Sequence, residues 1–265
     1  MDSNLEVFLK KVIDCGGIVR EKKDENGFID VLAVITQTML SMVKDQQPSA
    51  TLIDTTFKTN SSNYKLMSQS YCNIENGRTA IAGIALLADE SDPNIEFVFK
   101  VFAEIHVPKA VLVDKDLHQI DALGRIFGCR VLLCWWHVQK YLKKVLATCI
   151  TTVPTKEKLS KLFKDLMYSK DENEYQRLRE NLSDIAADLT VQISQTKEPT
   201  LLTTYVSENW DSCKEMWVKY HRSQLNLMGD NTTNRMEGTF SVFKSHLKNR
   251  CCSNPSPKEV LPILC

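Results

Sequence analysis

Three acidic residues occupy positions from which they could hold a divalent metal ion. Asp54 and Asp114 each follow a short apolar segment, residues 51–53 and 110–113, that predicts a buried strand. In a mixed sheet, the C-terminal ends of neighbouring strands can bring two carboxylates together, and these repel each other unless a cation lies between them. Carboxylates are hard oxygen ligands that suit Mg²⁺ or Mn²⁺. The third acid, Glu237, lies on the first turn of a predicted helix, and two metals held by such acids could cleave a phosphodiester.

Each of these acids also has a purely structural interpretation. Asp54 could end its strand at the solvent edge of the sheet. Asp114 could belong to a turn in which Asp116 caps the following helix. Glu237 could be the partner of an Asn234 cap in an Asn-x-x-Glu capping box. The position of each acid alone favours these structural roles, and only the surrounding residues favour a shared metal site.

The apolar patterns predict an α/β fold with a mixed five-stranded sheet, helices on both faces and an all-helical insertion. The first three strands are joined by turns and are expected to be antiparallel, whereas the last two follow helices and are expected to be parallel. An Asn76-Gly77 pair predicts a hairpin between the second and third strands, with both residues at positive φ. The predicted strands are residues 51–53, 66–74, 79–87, 110–113 and 130–133, and the predicted core helices are 94–105, 117–127 and 138–146.

The same patterns predict five regions along the chain. Residues 1–49 form a helical preface, with helices at about 5–14 and 36–45, and residues 50–150 form the first part of the core. Residues 151–225 form the helical insertion, because two amphipathic stripes run through them. Trp210 and Trp217 are expected to be core residues of that insertion rather than surfaces for stacking bases. Residues 226–250 supply the final core helix, and 251–265 are expected to be a disordered tail.

Composition limits the classes of function. The chain has 265 residues, of which 43% are hydrophobic, and its 33 Lys and Arg balance 33 Asp and Glu to a formal net charge of zero. A free-standing DNA-binding protein is usually basic, so any DNA-binding surface must come from local clustering of charge. Nine scattered cysteines favour a reducing compartment, cytosol or nucleus. We find neither a signal peptide nor an apolar run of about 18 residues, so no membrane partner is expected.

The sequence motifs around the acids resemble those of a known family. Leu52-Ile53-Asp54-Thr55-Thr56-Phe57-Lys58-Thr59-Asn60 resembles the first-aspartate block of Mutator-like (MULE) transposases, and Val111-Leu112-Val113-Asp114-Lys115-Asp116 resembles their second. Leu132-Leu133-Cys134-Trp135-Trp136-His137-Val138 is similar to their Cys-x-x-His block. Thr233-Asn234-Arg235-Met236-Glu237, followed by Phe243-Lys244, is similar to their final-glutamate block. The four blocks stand in order over about residues 50–250, with the helical insertion between the second and third acids.

Within this group the sequence is most similar to the animal SWIM-type zinc-finger proteins 1 and 3, which descend from such transposases. The resemblance implies an RNase H-like fold and DDE chemistry, with Asp54, Asp114 and Glu237 as catalytic residues and ligands of Mg²⁺ or Mn²⁺. It implies DNA as the partner and the nucleus as the location, and it leaves homo-oligomers and protein partners open. The Cys-x-Cys of the SWIM finger does not occur in these residues. A domesticated, catalytically silent nuclear DNA-binding or scaffold protein is the alternative function.

Two further groups of residues accompany the acids. Cys134 and His137 supply only half of a structural zinc site, which needs four ligands, so we expect a structural role, or one beside the acids, rather than zinc. Lys140 and Lys143 follow this pair, and Lys244 and Lys248 lie on the same stripe of the final helix as Glu237; these lysines are candidate contacts to DNA phosphates. A solvated helix face is the competing interpretation for all four lysines.

Overall fold

The first part of the chain forms a mixed sheet with packed helices. The structure is a computed structural model, and it describes residues 3–57, 59–60, 62–191, 199–225, 227, 238–241 and 244–245. By its internal contacts the chain divides into two compact units. The sheet unit comprises Met1–Val131 and Leu227–Cys265, and the helical unit comprises Leu132–Asn226. The sequence had placed the start of the insertion later, at residue 151.

Seven strands form the sheet in the described part of the chain, in the order β1-β2-β5-β4-β3-β6-β7. The strands are β1 (Ile18–Lys23), β2 (Ile29–Ile35), β3 (Ala50–Thr56), β4 (Lys65–Cys72), β5 (Thr79–Leu87), β6 (Ala110–Val113) and β7 (Arg130–Leu133). The accompanying helices are α1 (Ser3–Asp14), α2 (Gln37–Gln46), α3 (Asp92–Ile105) and α4 (Leu117–Phe127). The five predicted strands are therefore present, and β1 and β2 extend the sheet to seven.

The hairpin β1–β2 corrects the prediction of a purely helical preface. β1 pairs antiparallel with β2, which pairs antiparallel with β5. β1 is an edge strand with the sequence Ile-Val-Arg-Glu-Lys-Lys, and charged residues, above all lysine, are a common means of protecting a sheet edge. Such a strand has no clear alternation of apolar and polar residues, and this is why the sequence pattern did not predict it.

One face of the sheet carries the main apolar core of this unit. Inward-facing residues of the central strands pack with Phe99 and Phe102 of α3 and with Leu123 and Phe127 of α4, all nearly inaccessible to solvent. The rings of Phe99 and Phe127 meet edge to face, with 6.3 Å between their centroids. Gly83 lets α3 approach closely, because a Cβ at that position would lie 2.9 Å from Cε1 of Phe102.

The turn between β4 and β5 differs in detail from the predicted hairpin. Gly77 has a φ of +64°, but Asn76 is not among the non-glycine residues with positive φ. Asn73 N donates to Arg78 O, and Gly77 N donates to Asn73 O, both at 2.8 Å. The connection is thus a longer turn closed by backbone hydrogen bonds, and only its glycine needs the left-handed region.

The helical unit is almost entirely helical in its described residues, as predicted. Its helices are α5 (Trp135–Thr148), α6 (Val153–Met167), α7 (Glu172–Ala186), α8 (Leu202–Asn209), α9 (Lys214–Trp217) and α10 (Lys219–Arg222), with a 3₁₀ turn at Asp211–Cys213. The exception is a short antiparallel ladder between β8 (Thr190–Val191) and β9 (Thr200–Leu201). The term all-helical was therefore slightly too strong.

Two tryptophans form the centre of the helical unit. Trp210 and Trp217 are each 1% exposed, and their rings meet edge to face at 5.8 Å. Trp217 Nε1 donates to Trp210 O at 2.9 Å, and Trp135 Nε1 donates to Trp217 O at 2.7 Å. The prediction that Trp210 and Trp217 are core residues is confirmed. Among the described helices, none is long and apolar enough to cross a membrane.

Candidate active site

Asp54 of β3 and Asp114, which directly follows β6, lie near the same end of two adjacent parallel strands. The parallel register of β3 and β6 pairs Leu52 with Leu112, and two further residues along each strand lead to Asp54 and Asp114. Side chains at positions i and i+2 of a strand share a face, and neighbouring strands are about 4.8 Å apart. The register therefore brings the two acids to one end and one face of the sheet. This face is opposite to the one formed by Ile53, Val111 and Val113, which belong to the core with α3 and α4.

The strand ends differ from the prediction at one of the two acids. β6 ends at Val113, so that Asp114 follows its strand as predicted. β3 continues to Thr56, so that Asp54 lies inside its strand. Both side chains are half-buried. Asp54 is accordingly held by the ladder on both sides of its position.

Each carboxylate accepts a hydrogen bond from the next backbone amide. Thr55 N donates to Asp54 Oδ1 at 2.8 Å, and Lys115 N donates to Asp114 Oδ1 at 2.6 Å. These bonds limit the rotation of the two carboxylates. The structural role suggested for Asp116 is present as well, since Asp116 Oδ1 accepts from Gln119 N at 3.4 Å at the start of α4.

A serine that the sequence did not single out completes this face. In the antiparallel register of β3 and β4, Ser68 lies directly opposite Asp54, where Cβ atoms are typically about 4.5–5.5 Å apart. Ser68 is 1% exposed, and its hydroxyl has no hydrogen-bond partner among the residues that the structure describes. An unsatisfied buried hydroxyl costs about 1–3 kcal/mol. The Ser68 hydroxyl is thus a polar group beside Asp54 that is available to a ligand or to water.

A signal for Ser68 existed in the sequence. The predicted second strand contains Leu66-Met67-Ser68-Gln69-Ser70-Tyr71, so that polar residues interrupt a run that is otherwise apolar. The structure buries Ser68, Gln69 and Ser70 to 1% exposure or less. Polar side chains in a strand buried on both faces indicate a polar site or internal hydrogen bonds.

The described part of the C-terminal segment reaches the same end of β3. Residues 238–241 and 244–245 have helical backbone, as predicted for the final helix. Lys244 Nζ donates to Thr56 Oγ1 at 2.7 Å, and Thr56 is two residues from Asp54 on the same face of the strand. Lys244, proposed from sequence as a DNA contact, therefore contacts the strand that contains Asp54. Glu237, Lys248 and the predicted tail at 251–265 lie outside the described residues.

The Cys134–His137 pair lies at the start of α5 in the helical unit. Cys134 is fully buried at the N-cap of this helix, and the His137 ring meets the Trp136 ring edge to face at 4.7 Å. Burial also disfavours the thiolate of two other cysteines: it raises the pKa of Cys129 to about 11, and it raises the pKa of Cys149. Zinc binds thiolate, so this burial gives no support to a zinc site. The absence of a closed zinc site stays a prediction.

The oxygen donors near the C-terminal ends of β3 and β6 fit a divalent cation of the magnesium type. It consists of two carboxylates at one level and a hydroxyl across the ladder, and all of these are hard oxygen donors. No cluster of three or more His, Cys, Asp or Glu that could bind a metal is found within the part of the chain that the structure describes, which does not include Glu237. Of the three predicted ligands, Asp54 and Asp114 lie in the described part of the chain, and their role as metal ligands stays a prediction.

The fold defines a class for this chain. Three antiparallel strands, β3 to β5, are followed through helices by β6, parallel to β3, and this is the strand arrangement of an RNase H-like domain. Residues 10–132 match the family model for the RNaseH-like domain of zinc finger SWIM domain-containing protein 1/3. That match includes Asp54, Asp114 and the hairpin β1–β2. The RNase H-like fold predicted from the sequence is confirmed.

Solved structures and curated proteins were also compared with the chain. The Drosophila P element transposase strand transfer complex is similar, with 10% sequence identity and a TM-score of 0.48, over 86% of this chain and 80% of that chain. No curated protein sequence matches.

Proposed function

We propose that this chain is a transposase-derived domain of the Mutator-like group that acts on DNA in the nucleus. Its reaction is phosphodiester cleavage and strand transfer of the DDE type, with Asp54, Asp114 and Glu237 as the catalytic acids and metal ligands. The observation that supports this proposal is the parallel register of β3 and β6, whose last pair, Leu52 with Leu112, precedes Asp54 and Asp114 by two residues each. The family match over residues 10–132 supports the RNase H-like fold, and its range includes both aspartates.

Each of these residues would have its own role in the proposed reaction on DNA. Asp54 and Asp114, oriented by the amides of Thr55 and Lys115, would hold Mg²⁺ or Mn²⁺. When bound, such a cation supplies Lewis acidity that activates a water or hydroxyl and stabilises the leaving oxygen of a phosphodiester. Ser68 would orient a water or ligand at Asp54. Lys244, held by Thr56, places a positive charge where a phosphate would approach.

A catalytically silent nuclear DNA-binding or scaffold protein is the second candidate. Its support is the formal net charge of zero, from 33 basic and 33 acidic side chains, since proteins that bind DNA on their own are usually basic. The acids by themselves do not separate the two candidates, because carboxylates can persist in a fold that no longer cuts.

A nicking assay separates them. The full chain is incubated with supercoiled plasmid DNA and Mg²⁺ or Mn²⁺, beside Asp54→Asn, Asp114→Asn and the control Asp14→Asn. Asp14 is exposed at the end of α1, so its variant has the same charge change away from the site. We expect metal-dependent nicking by the wild type and the control. Each site variant should lose more than the roughly 10–100-fold typical of residues that only orient a metal ligand.

Two other results would decide against the enzyme. Nicking that is equal in wild type and Asp114→Asn would show that the acids do not act in the reaction. If no protein nicks DNA while wild type binds it, the silent DNA-binding protein becomes the better description.

A further inference from the structure

Positive charge is concentrated on one helical hairpin of an otherwise neutral chain. Over residues 135–167, which contain α5 and α6, seven lysines stand against two acidic residues, a formal charge of +5. The lysines are Lys140, Lys143, Lys144, Lys156, Lys158, Lys161 and Lys164, and the acids are Glu157 and Asp165. Since the whole chain has a net charge of zero, this hairpin is a distinct basic surface.

The two helices enclose a groove whose rim carries three of these lysines. The groove has a volume of about 380 Å³ and lies between facing stripes of α5 and α6. Lys143, Lys161 and Lys164 are exposed at the rim, while Leu142 and Phe163 are buried beneath them. The buried residues hold the two helices together, so helix packing sets the spacing of the three lysines along the rim.

The rim lysines are not paired with a carboxylate in the described part of the chain. Lys143, Lys161 and Lys164 form no ion pair with a carboxylate among the residues described here, and Glu157 is the one acid that lines the groove. By contrast, Lys214 of the same unit pairs with Glu172 at 2.6 Å. Like charges three or four residues apart on a helix destabilise it, and an anion at the groove would relieve that repulsion.

The remainder of the lining suits a sugar-phosphate chain. Gln139 and Ser160 contribute uncharged polar side chains to the groove. One turn before Lys143, Lys140 lies over the Trp136 ring at 4.4 Å from its centroid, which extends the positive charge along α5. The stripe from Gln139 to Leu146 is about 10 Å long at 1.5 Å per residue, enough to follow a backbone past more than one phosphate.

We propose that the groove between α5 and α6 binds the phosphate backbone of duplex DNA, with Lys143, Lys161 and Lys164 as the principal contacts. The choice of DNA as the polyanion rests on the proposed function. The lysines and the groove supply positive charge and uncharged polar groups, which position a duplex but do not distinguish its sequence. Binding should therefore be independent of sequence and strongly dependent on salt.

The test measures the affinity of the full chain for duplex DNA as a function of salt, in EDTA so that no cleavage occurs. The triple variant K143Q/K161Q/K164Q is compared with wild type and with K10Q/K11Q/K44Q. The control lysines lie on α1 and α2, are exposed and form no ion pair with any described carboxylate. Both triple variants lose the same charge, so only the place of the charge differs.

The expected result is a weaker salt dependence for the groove variant alone. Each phosphate contact adds about 0.9 to the slope of log affinity against log salt, so three lost contacts lower it by about 2.7. Between about 50 and 200 mM salt, the loss of affinity should then be about 40-fold smaller than in wild type. A duplex RNA of the same sequence and a poly-glutamate peptide serve as competitors, and DNA should outcompete the peptide.

The proposal is overturned if both triple variants change the slope equally, if the wild type does not bind DNA at low salt, or if poly-glutamate binds as tightly as DNA. Displacement of DNA by a lower concentration of duplex RNA would overturn the choice of DNA. Failure of the proposed function is recognised separately. DNA binding is measured in EDTA, without cleavage, so the groove variant can lose affinity and salt dependence whether or not wild type nicks DNA in Mg²⁺ or Mn²⁺.

Discussion

Ser68 lies directly across the β3–β4 ladder from Asp54, and its buried hydroxyl has no hydrogen-bond partner among the described residues. Burial without a partner is unfavourable for folding. A side chain of this kind, next to an acid on an adjacent strand, indicates a role in ligand binding rather than in stability. The following predictions test this role and the surrounding structure.

Replacing Ser68 by Ala should leave the metal-free protein as stable as wild type or more stable. The substitution removes an unsatisfied hydroxyl whose burial costs about 1–3 kcal/mol. The rise in Tm on adding Mn²⁺ should become smaller, because a ligand stabilises a protein in proportion to its binding. Thermal unfolding with and without Mn²⁺ measures both effects. Ser70→Ala, at an equally buried position two residues along the same strand, is the control and should keep the full rise.

Glu237→Gln distinguishes a metal ligand from a helix cap. As a cap, Gln can still bond back to the Asn234 amide, and the loss should be a fraction of about 1 kcal/mol. As a ligand, Glu237 supplies charge, so its replacement should leave the metal-free Tm equal or higher and should greatly reduce the rise with Mn²⁺. We expect the second outcome. Equal rises in both proteins would assign Glu237 to the cap, and no rise in either would favour the silent protein.

Asn60→Ala should destabilise the sheet unit by about 1–3 kcal/mol, because it leaves buried backbone groups without partners. Asn60 is 1% exposed; its Nδ2 donates to Tyr64 O at 2.7 Å, and its Oδ1 accepts from Tyr64 N at 3.0 Å. Denaturant unfolding gives the free energy. Asn26→Ala, at an exposed site, should change it by less than about 0.5 kcal/mol. A similar loss in both variants would contradict the role of Asn60.

Glu172→Gln should destabilise the helical unit at neutral pH but not in acid. Hydrogen bonds from Lys214, Tyr220 and Gln176 lower the pKa of Glu172 from its ordinary value of 4.5 to about 2. The ionised carboxylate therefore stabilises the fold above about pH 4.5, and this contribution is lost as the pH falls to about 2. Because the side chain is 47% exposed, the effect at pH 7 should be at most about 1 kcal/mol.

The measurement is the free energy of unfolding of wild type and Glu172→Gln between pH 2 and pH 7. Glu180→Gln, on the exposed face of the same helix, should show no comparable pH dependence. If Glu172→Gln and wild type differ equally at both ends of this range, the pKa of Glu172 is not depressed in the folded protein.

Purified protein should contain no stoichiometric zinc that depends on Cys134. Cys134 and His137 supply two ligands, whereas a structural site needs four. Metal analysis of wild type and Cys134→Ser tests this. Stoichiometric zinc in wild type that is lost in the variant would show that the pair does belong to a closed site.

Local sequence patterns were sufficient to predict the strands and helices in which apolar residues recur at regular spacing. Strands β6 and β7 and helix α4 occur at the predicted residues, because short buried strands and amphipathic helices have patterns that neighbours in sequence already define. Strand β1 was missed because an edge strand keeps charged residues. Strand β2 (Ile29–Ile35) is an inner and largely apolar strand, and its pattern was not assigned to any element. The strand containing Asp54 was ended too early, since a half-buried acid inside a strand resembles a strand end.

By itself, the sequence determined the RNase H-like class and the choice of Asp54 and Asp114, because the order of elements and the motifs around the acids are local properties of the chain. Only the tertiary structure decided that these acids share one level of the sheet, that Ser68 faces Asp54 and that Lys244 contacts Thr56. It also brought Lys143 of α5 to the same groove as Lys161 and Lys164 of α6. Strand register and helix pairing join residues distant in sequence, and the packing energy that selects them is spread over the whole core.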